Sequence, residues 1–396
     1  MRILLINQFF WPDSAATSQF LTDVARRLEE DGHEVFVIAS QSGYAPQDED
    51  NPPGASIHRV KGAPFGWGVI GRILSYASFF VGCALRGLKL PRPDVVLTLT
   101  TPPLISLVGT LIKAVRRSRH FIWEMDVYPE VATDIGFFKR GGVLEATVGM
   151  LADFSHSRSD GVIALGECMR QRLVSRGLPP EKIHVAENWA DGNLVHPLAR
   201  QSKNDKLVVL YSGNLGLAHD IETVSEAIKE LELDARFRFV FAGNGPKRRA
   251  FEEKCEAQKI KSVEFCGYTE RGNLGESLAR GDIGLVTQRA ECLGSVVPSK
   301  VYSLLAAGRP ILFIGPQGAT PAEIIRHYDC GWHIQNGDVP GLVRLLRQLS
   351  IDRALVHRSG DRARQAFLNN YDRDSGVSRI CKLIGASPKR MMAGAA

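Results

Sequence analysis

A polar loop that ends in Pro298-Ser-Lys300 has the residue types best suited to bind a phosphorylated ligand. It follows an apolar run at 282–286, predicted to be a strand, and precedes a predicted helix that ends at Gly308. Ser299 is the predicted N-cap, because its hydroxyl can accept a hydrogen bond from free N–H groups of the first turn. Helix N-termini attract anions, and Lys300 adds a full positive charge. The pattern predicts a diphosphate site, although an ordinary capped surface turn would share it.

Two carboxylates follow another apolar run, at 120–124, which is also a predicted strand. They are Asp126 and Glu130, in the segment D-V-Y-P-E. Open α/β sheets bind ligands beyond the carboxyl ends of their strands. Either carboxylate could therefore take the proton from an attacking hydroxyl group or hold the molecule that carries it. A carboxylate that only caps the following turn is the alternative.

Strands alternate with helices along both halves of the chain, which predicts two parallel sheets with right-handed crossovers. With 396 residues, two domains are expected, and the polar stretch at 196–206 is the predicted linker. The G-x-G-x-x-G, Walker A, G-x-S-x-G and H-E-x-x-H motifs are missing, as is a D-x-D-like metal motif at a strand end. A dehydrogenase is accordingly the least favoured class.

Composition excludes several other classes of protein. Hydrophobic residues make up 44% and charged residues 23%, which is typical of a globular protein. The seven Cys residues include no C-x-x-C pair, which argues against a disulfide framework or a zinc site and favours the reducing cytosol. No uncharged apolar run approaches the roughly 20 residues that a membrane-spanning helix needs.

Basic and apolar residues are concentrated between Arg59 and Arg119. This segment has ten Lys or Arg residues against one acid, Asp94, in a chain whose net charge is only +6. Its aromatic and basic character suits an anionic membrane surface or a lipid diphosphate. A buried helix with solvated Arg residues at its ends is the alternative. No nucleic-acid partner is expected, because no recognisable nucleic-acid-binding module accompanies the charge.

The motifs of the second half, in their order SGNLG, FAGNGP, FCGY and E…G…PSK…AAGRP, resemble the donor site of GT-B glycosyltransferases, specifically the large family 4 of retaining enzymes. In the first half, GHEV and SDGVIALG resemble the family's N-terminal domain, so the resemblance covers about residues 1–385. It implies an α/β GT-B fold, with two Rossmann-like domains whose parallel sheets face a central cleft. The implied domains are residues 1–200, which bind the acceptor, and 201–364, which bind the nucleotide-sugar donor. A C-terminal helix at about 365–385 is expected to cross back to the first domain.

The chain departs from the family pattern at several positions. Many members have an Arg and a Lys after the first strand of the second domain, whereas this chain has Asn214 and then His219. Lys300 is the expected replacement, with Arg248 or Lys247 as a second cation. Ser303 stands where the family usually has a Glu. The first loop of the chain, usually Gly-rich, contains small residues other than glycine.

The resemblance implies transfer of a sugar from a UDP- or GDP-linked donor to a hydroxyl group of a saccharide, with retention. Because no carboxylate can be assigned as a nucleophile, front-face attack is expected. The missing D-x-D-like motif predicts that no metal is needed, and no cofactor is expected. A branch of bacterial exopolysaccharide enzymes, including fucosyl- or fucosaminyltransferases of the colanic-acid type, shares the PSKxYS form. The charge distribution adds a polyprenyl-diphosphate-linked acceptor for cell-surface polysaccharide synthesis and a cytoplasmic, peripheral location at the inner membrane surface. A catalytically silent nucleotide-sugar-binding protein and a GT-B epimerase or phosphorylase are the alternatives.

These expectations define three groups of site residues. The catalytic candidates are Asp126, Glu130 and Lys300. The donor-binding candidates are Gly213, Asn214, Gly243, Asn244, Gly245, Gly267, Tyr268, Glu291, Gly294, Ser295, Ser299, Lys300 and Ser303. The acceptor-side candidates are Ser14, Ala15, Ala16, Thr17, Arg72 and Arg86.

Overall fold

The computed structural model describes residues 1–41, 54–61, 68–199 and 206–386, without the side chains of 68–70 and 72–74. The chain forms two compact units. The first contains residues 1–187 together with the C-terminal residues from 376 onward, and the second contains residues 188–375. Each unit is an α/β domain built on its own parallel sheet.

The first unit has a seven-stranded sheet in the order β3-β2-β1-β4-β5-β6-β7, and every pairing in it is parallel. Its central strands are almost continuously buried, as expected for a sheet with helices on both faces. The strands are β1 Arg2–Ile6, β2 Glu34–Ser40, β3 Ser56–Val60, β4 Val95–Thr98, β5 Arg119–Trp123, β6 Gly161–Ala164 and β7 Ile183–Val185.

The second unit has a six-stranded parallel sheet in the order β10-β9-β8-β11-β12-β13. Two apolar clusters cover its two faces. The strands are β8 Leu207–Ser212, β9 Phe237–Ala242, β10 Val263–Cys266, β11 Ile283–Thr287, β12 Ile311–Ile314 and β13 Gly331–Ile334.

The helices alternate with these strands along the chain. They are α1 Ala16–Glu30, α2 Gly68–Lys89, α3 Ser106–Arg116, α4 Glu130–Asp134, α5 Val143–Arg158, α6 Glu167–Ser175, α7 Glu222–Leu231, α8 Arg248–Ala257, α9 Leu274–Ala279, α10 Lys300–Ala306, α11 Thr320–Tyr328, α12 Val339–Ile351, α13 Arg353–Ala366 and α14 Arg373–Leu383. Over the described ranges, the helices all fall short of the length and apolar character that a membrane span needs.

The predicted fold class, two parallel-sheet α/β domains, is confirmed, but two boundaries differ. Residues 188–199 belong to the second unit because Ala190 donates a hydrogen bond to the Tyr371 carbonyl (3.1 Å) and Asp191 pairs with Arg373 (2.6 Å). The C-terminal return begins at 376 rather than 365, because Phe367 and Tyr371 are core residues of the second unit.

Helix α3 begins at Ser106, and the segment Thr100-Thr-Pro-Pro103 before it is not helical. Leu104 lies before it with a φ of 66°, in the left-handed region that a right-handed helix excludes. The segment before Ser106 is therefore outside the helix. In this segment the Thr100 hydroxyl accepts a hydrogen bond from the backbone N–H of Asp126 (3.3 Å).

Candidate functional site

Three glycine-containing loops pack against each other at the carboxyl edge of the second sheet. The Gly213 N–H donates to the Ala242 carbonyl (2.8 Å), and the Gly243 N–H donates to the Cys266 carbonyl (3.1 Å), so the sheet pairing continues past the strand ends. Beyond them the Leu215 N–H bonds to the Asn244 carbonyl (2.7 Å). The predicted meeting of the SGNLG, FAGNGP and FCGY segments is thus present in the structure.

Lys300 lies against the first of these loops. Its Nζ donates to the Asn214 carbonyl (3.0 Å), lies 3.3 Å from Nε2 of His219 and stands 4.8 Å from the centre of the Tyr211 ring. The Tyr211 hydroxyl donates to the same Asn214 carbonyl (2.7 Å). Within the part of the chain that the structure describes, no Asp or Glu forms an ion pair with Lys300. The ammonium group is thus held by neutral groups.

The tautomer of His219 follows from its contacts. Its Nδ1 lies 2.8 Å from the carbonyl oxygen of Thr287, which can only accept, so Nδ1 carries the proton. Nε2 therefore has a lone pair and accepts from Lys300. His219 links the end of β11 to the start of α10, and sequence reasoning had noted it only as a departure from the family pattern.

Burial changes the pKa values of both partners. Burial alone lowers the pKa of Lys300 to about 7. Burial, and then the charge of Lys300, lower the pKa of His219 to about 3, so the imidazole stays neutral at physiological pH. An anion at Lys300 would supply the charge that the protein does not, and would restore the ammonium form.

The two other predicted cations are tied to the protein itself. Arg248 donates to the carbonyls of Gly243 and Cys266 (2.7 Å for the latter) and so connects two loops. Lys247 donates to the His219 carbonyl (2.7 Å) and lies 3.7 Å from Glu222. The expectation that Arg248 or Lys247 serves as a second free cation for the ligand is not supported by these contacts.

The predicted capping role of Ser299 is wrong. Ser299 does precede α10, but its φ and ψ of −74° and −16° are helical and its side chain makes no capping hydrogen bond. The hydroxyl of Ser303 donates to the Lys300 carbonyl within the helix (3.0 Å), and that of Ser295 donates to the Cys292 carbonyl (3.3 Å). Because α10 has only seven residues, positive charge here comes from Lys300 more than from the helix dipole.

The remaining donor-side candidates fall into two groups. Glu291 is exposed and pairs with Arg289 (3.3 Å), so its carboxylate is engaged at the surface. Gly294 has a φ of 77° in the turn that follows. Beyond β10, Tyr268 is 55% exposed and a Cβ at Gly267 would meet nothing within 4 Å. The last two residues therefore leave open space at this edge of the sheet.

In the first unit, Asp126 lies past the carboxyl end of β5. Its carboxylate has no hydrogen-bond partner among the described residues. Burial, and then the nearby Glu124, raise the pKa of Asp126 to about 6. A carboxylate with this pKa is largely ionised near neutral pH and basic enough to accept a proton. This pKa is compatible with the catalytic role of Asp126, which stays a prediction.

Beneath Asp126 lies a buried pair that sequence reasoning missed. His156 Nε2 is 2.5 Å from Glu124 Oε1, and both side chains are almost fully buried. His156 comes from α5 and Glu124 directly follows β5. The contact with His156 holds Glu124 in place, and Glu124 is the residue that contributes to the raised pKa of Asp126. A strand-end Glu was visible in the sequence, but its distant His partner was not.

Glu130 is held by an arginine, which favours the structural alternative for this residue. Its Oε2 lies 3.1 Å from Arg176, which also donates to the Tyr128 carbonyl (2.8 Å) and pairs with Asp153. These groups line an open pocket of about 510 Å³ between α4 and α5. Glu130 therefore anchors the turn that carries Asp126. The catalytic role predicted for Glu130 would need a free carboxylate, whereas this carboxylate is paired with Arg176.

The first loop of the chain is shorter than predicted. Ser14 and Ala15 lie in it, whereas Ala16 and Thr17 already belong to α1. Arg59 of β3 links this loop to the end of β2, because its guanidinium donates to the carbonyls of Trp11 and Ser40. These four candidates remain at the carboxyl edge of the sheet.

The two acceptor-side arginines on α2 do not lie together. A Cβ on Gly82 would come within 2.3 Å of Val60, the last residue of β3, and Arg86 lies one turn further along. Burial, and then Arg86, lower the pKa of His58 in the middle of β3. Arg86 thus lies beside β3, and its acceptor-side role stays a prediction.

The first half of α2 extends past that edge. Arg72 precedes Gly82 by ten residues, or about 15 Å of helix. Burial, then Asp126, then Tyr76 of α2 raise the pKa of Tyr128, which places α2 close to the Asp126 turn. The backbone of Arg72 lies one turn before Tyr76, and its side chain is outside the described residues.

Across the described residues, no group of three or more His, Cys, Asp or Glu side chains is arranged to hold a metal ion. Whether the reaction needs a metal or a cofactor stays a prediction.

Comparisons with known proteins agree with this geometry. Residues 16–189 match the family described as "Glycosyl transferase 4-like domain", and residues 198–366 match "Glycosyl transferases group 1". The chain is 27% identical to the probable glycosyltransferase WbjE of Pseudomonas aeruginosa over 271 residues, which cover 65% of this chain and 66% of WbjE. It is 25% identical to the putative colanic acid biosynthesis glycosyl transferase WcaI of Escherichia coli, over 78% of this chain and 82% of WcaI.

Solved structures with the same fold include HepE of Anabaena in complex with UDP-glucose. The TM-score is 0.73, with 14% sequence identity, and the match covers 98% of this chain and the whole of HepE. At this identity the likeness concerns the fold.

Proposed function

This chain is a glycosyltransferase of the GT-B fold and the family 4 type, and from that premise we propose that it transfers a sugar from a nucleoside diphosphate sugar to a hydroxyl group of a saccharide acceptor in cell-surface polysaccharide synthesis. UDP is the proposed nucleotide, with GDP second, because HepE holds UDP-glucose in the same fold. WcaI, whose name refers to colanic acid biosynthesis, motivates the polysaccharide product.

Lys300 is the observation that carries the proposal. Among the described residues no carboxylate pairs with it, it lies at the edge of a sheet where three loops meet, and Asn214 and His219 hold it in place. A diphosphate has the charge and the acceptor oxygens that this arrangement lacks. Lys300 would bind the diphosphate and stabilise the charge that develops on it as the sugar leaves.

Asp126 is the proposed acceptor-side residue. Its raised pKa suits a group that takes the proton of the attacking hydroxyl or binds that hydroxyl in the ionised form. Retention of configuration is proposed from the family resemblance. Front-face attack is proposed because no carboxylate is assigned as a nucleophile, and independence of a metal because the sequence lacks a D-x-D-like motif at a strand end. In this scheme Lys300 provides the positive charge at the leaving group.

An anionic membrane surface is the proposed partner of the first unit, with a lipid-diphosphate-linked saccharide as acceptor. Of the 16 large hydrophobic side chains that are exposed in the described parts of the chain, ten fall between Val81 and Phe154. They lie on α2, on α3, on α5 and just before α5, and α3 packs against both other helices. The ten residues, called here the apolar face, are Val81, Leu85, Leu111, Val115, Phe137, Val143, Leu144, Met150, Leu151 and Phe154.

Charge supports lipid as the proposed occupant of the apolar face. Exposed cations lie on or next to the same helices, namely Arg86, Lys89, Arg117, Lys139 and Arg158. Of the exposed acids nearby, Asp153 is paired with Arg176. Two copies of a basic face would repel each other, whereas anionic headgroups would attract it.

Thermal unfolding with UDP, GDP, ADP and NAD tests the donor proposal. A ligand at 100 times its dissociation constant adds about 2.7 kcal/mol to the free energy of unfolding. We expect a shift with UDP or GDP that Lys300→Met abolishes. Lys254→Met is the matched control, because Lys254 lies on the same unit and pairs with Glu226 at the surface. A wild-type protein that no nucleoside diphosphate stabilises would contradict the proposal.

A catalytically silent nucleotide-sugar-binding protein is the second candidate. It is favoured by Ser303, whose hydroxyl only bonds within α10, and by Glu291, which is engaged with Arg289. Incubation of a UDP-sugar with the protein and a lipid-linked acceptor separates the two candidates. Binding without release of UDP, over a panel of acceptors, would support the silent protein.

A further inference from the structure

Three elements of the second unit meet at one imidazole. His219 lies in the loop between β8 and α7, its Nδ1–H donates to the carbonyl of Thr287 at the end of β11, and its Nε2 accepts from Lys300 at the start of α10. The same loop is fixed at its far end, where Asp220 accepts hydrogen bonds from Thr223 and Asn336. The acceptor atom that faces Lys300 is therefore held rigidly from two sides.

A neutral acceptor next to a lysine has a particular consequence. A carboxylate at the place of His219 would neutralise Lys300 and compete with any anionic ligand. Imidazole fixes the direction of the Nζ–H bonds without cancelling the charge, so the attraction for an anion is kept. The charged and titratable groups that face Lys300 or its partner are His219, Tyr211 and Lys247.

We propose that His219 is a positioning residue that holds the Nζ group of Lys300 in place for the diphosphate of the donor. The inference rests on the proposed function and adds a role for a residue outside the predicted site. It does not require His219 to touch the ligand.

Two substitutions separate positioning from a merely structural role. Asn at 219 keeps a donor at the place of Nδ1, and hence the bond to Thr287, but loses the acceptor for Lys300. Gln at 219 keeps an acceptor at the place of Nε2 and loses the bond to Thr287. Positioning predicts that His219→Asn weakens UDP binding at least tenfold and that His219→Gln weakens it less. A structural role as a loop anchor predicts the reverse order.

Calorimetric titration with UDP measures the dissociation constant of the wild-type protein and of both variants.

The outcomes also distinguish this inference from the proposed function. If wild-type protein binds no nucleoside diphosphate, the proposed function fails first. If it binds UDP and His219→Asn binds equally well, or if His219→Gln binds UDP less well than His219→Asn does, the donor site stands and this inference is wrong. Thermal unfolding of each variant, without ligand, shows whether the loop is still folded.

Discussion

Gly243 and Gly213 touch at the carboxyl edge of the second sheet, so closely that neither could carry a side chain in its present place. A Cβ on Gly243 would lie 2.2 Å from the carbonyl oxygen of Gly213, and one on Gly213 would lie 2.7 Å from Cε of Lys300. Both glycines have positive φ, of 128° and 121°. Closure of the two loops, and with it the position of Lys300, therefore depends on the absence of side chains.

Gly243→Ala should disrupt the donor side of the second unit. A residue with a Cβ at φ 128° is strained, and here the atom also meets backbone that cannot yield easily. We expect a loss of at least about 2 kcal/mol in the free energy of unfolding, measured with urea, and a loss of UDP binding. Gly267→Ala is the control, because its Cβ would have open space. Equal stability of the two variants would contradict the packing argument.

Lys300 should give the protein without ligand an unusual dependence on pH. Its pKa is lowered to about 7, so from pH 7 towards the ordinary lysine value the unfolded chain binds a proton that the folded chain has released. The contribution of Lys300 to the free energy of unfolding therefore rises with pH, by at most about 1.4 kcal/mol per pH unit.

Urea unfolding at pH 7, 8 and 9 measures this effect as the difference between the wild-type protein and Lys300→Met. We expect the variant to be the more stable of the two at pH 7 and the gap to shrink as pH rises. A gap that stays constant would mean that Lys300 titrates normally. Lys254→Met serves again as the control, since Lys254 is paired at the surface.

The order of strands and helices could be predicted from the sequence because each strand is a short apolar run bounded by glycine or polar residues. The same signal placed Asp126 after the end of a strand and Lys300 at the start of a helix. What the side chains do there could not be predicted. Ser299 has the residue type of an N-cap yet adopts helical angles, and Glu130 is neutralised by Arg176, which lies 46 positions away. Such partners are set by tertiary packing, which no local pattern encodes.

The role of His219 could not be predicted from the sequence either. The sequence showed only that the family's cation is missing there, whereas the structure shows that His219 contacts Thr287 and Lys300, which are 68 and 81 positions away. The boundary between the two domains, predicted after residue 200, lies at residue 188 for a related reason. Residues 188–199 look like a continuation of the first half, but they bond to the segment around Tyr371 in the second unit.

Asp126→Asn should lower turnover by about a hundredfold or more if the carboxylate accepts the proton of the acceptor. The ionised form is the base, so activity of the wild-type protein should rise with pH through about 6 and the variant should lack this rise. If Asp126 only holds the acceptor, the loss will appear in the KM for the acceptor instead. Glu130→Gln is the comparison, because Glu130 is engaged with Arg176 and should affect activity less.

The same substitution should stabilise the protein. The pKa of Asp126 is raised, so its ionised form is less favourable in the folded chain than in the unfolded chain, and this cost is present above pH 6. We expect Asp126→Asn to unfold at a higher temperature than the wild-type protein at pH 8, with no difference at pH 4. A destabilised variant would show that the carboxylate has a structural partner.

Membrane attachment through the apolar face makes a prediction that is independent of the donor site. Met150 and Phe154, one turn apart on α5, are 67% and 48% exposed. Burial of such side chains is worth about 1.5–3 kcal/mol each when complete, so the double substitution to Ser should weaken binding to anionic vesicles at least tenfold, while UDP binding stays unchanged. Leu233→Ser, at a 99% exposed position of the second unit, is the control. Sedimentation with phosphatidylglycerol vesicles at low and high salt measures the effect. If the double variant instead abolishes a dimer of the wild-type protein and leaves vesicle binding intact, the apolar face is covered by a second copy and the charge argument for lipid is wrong.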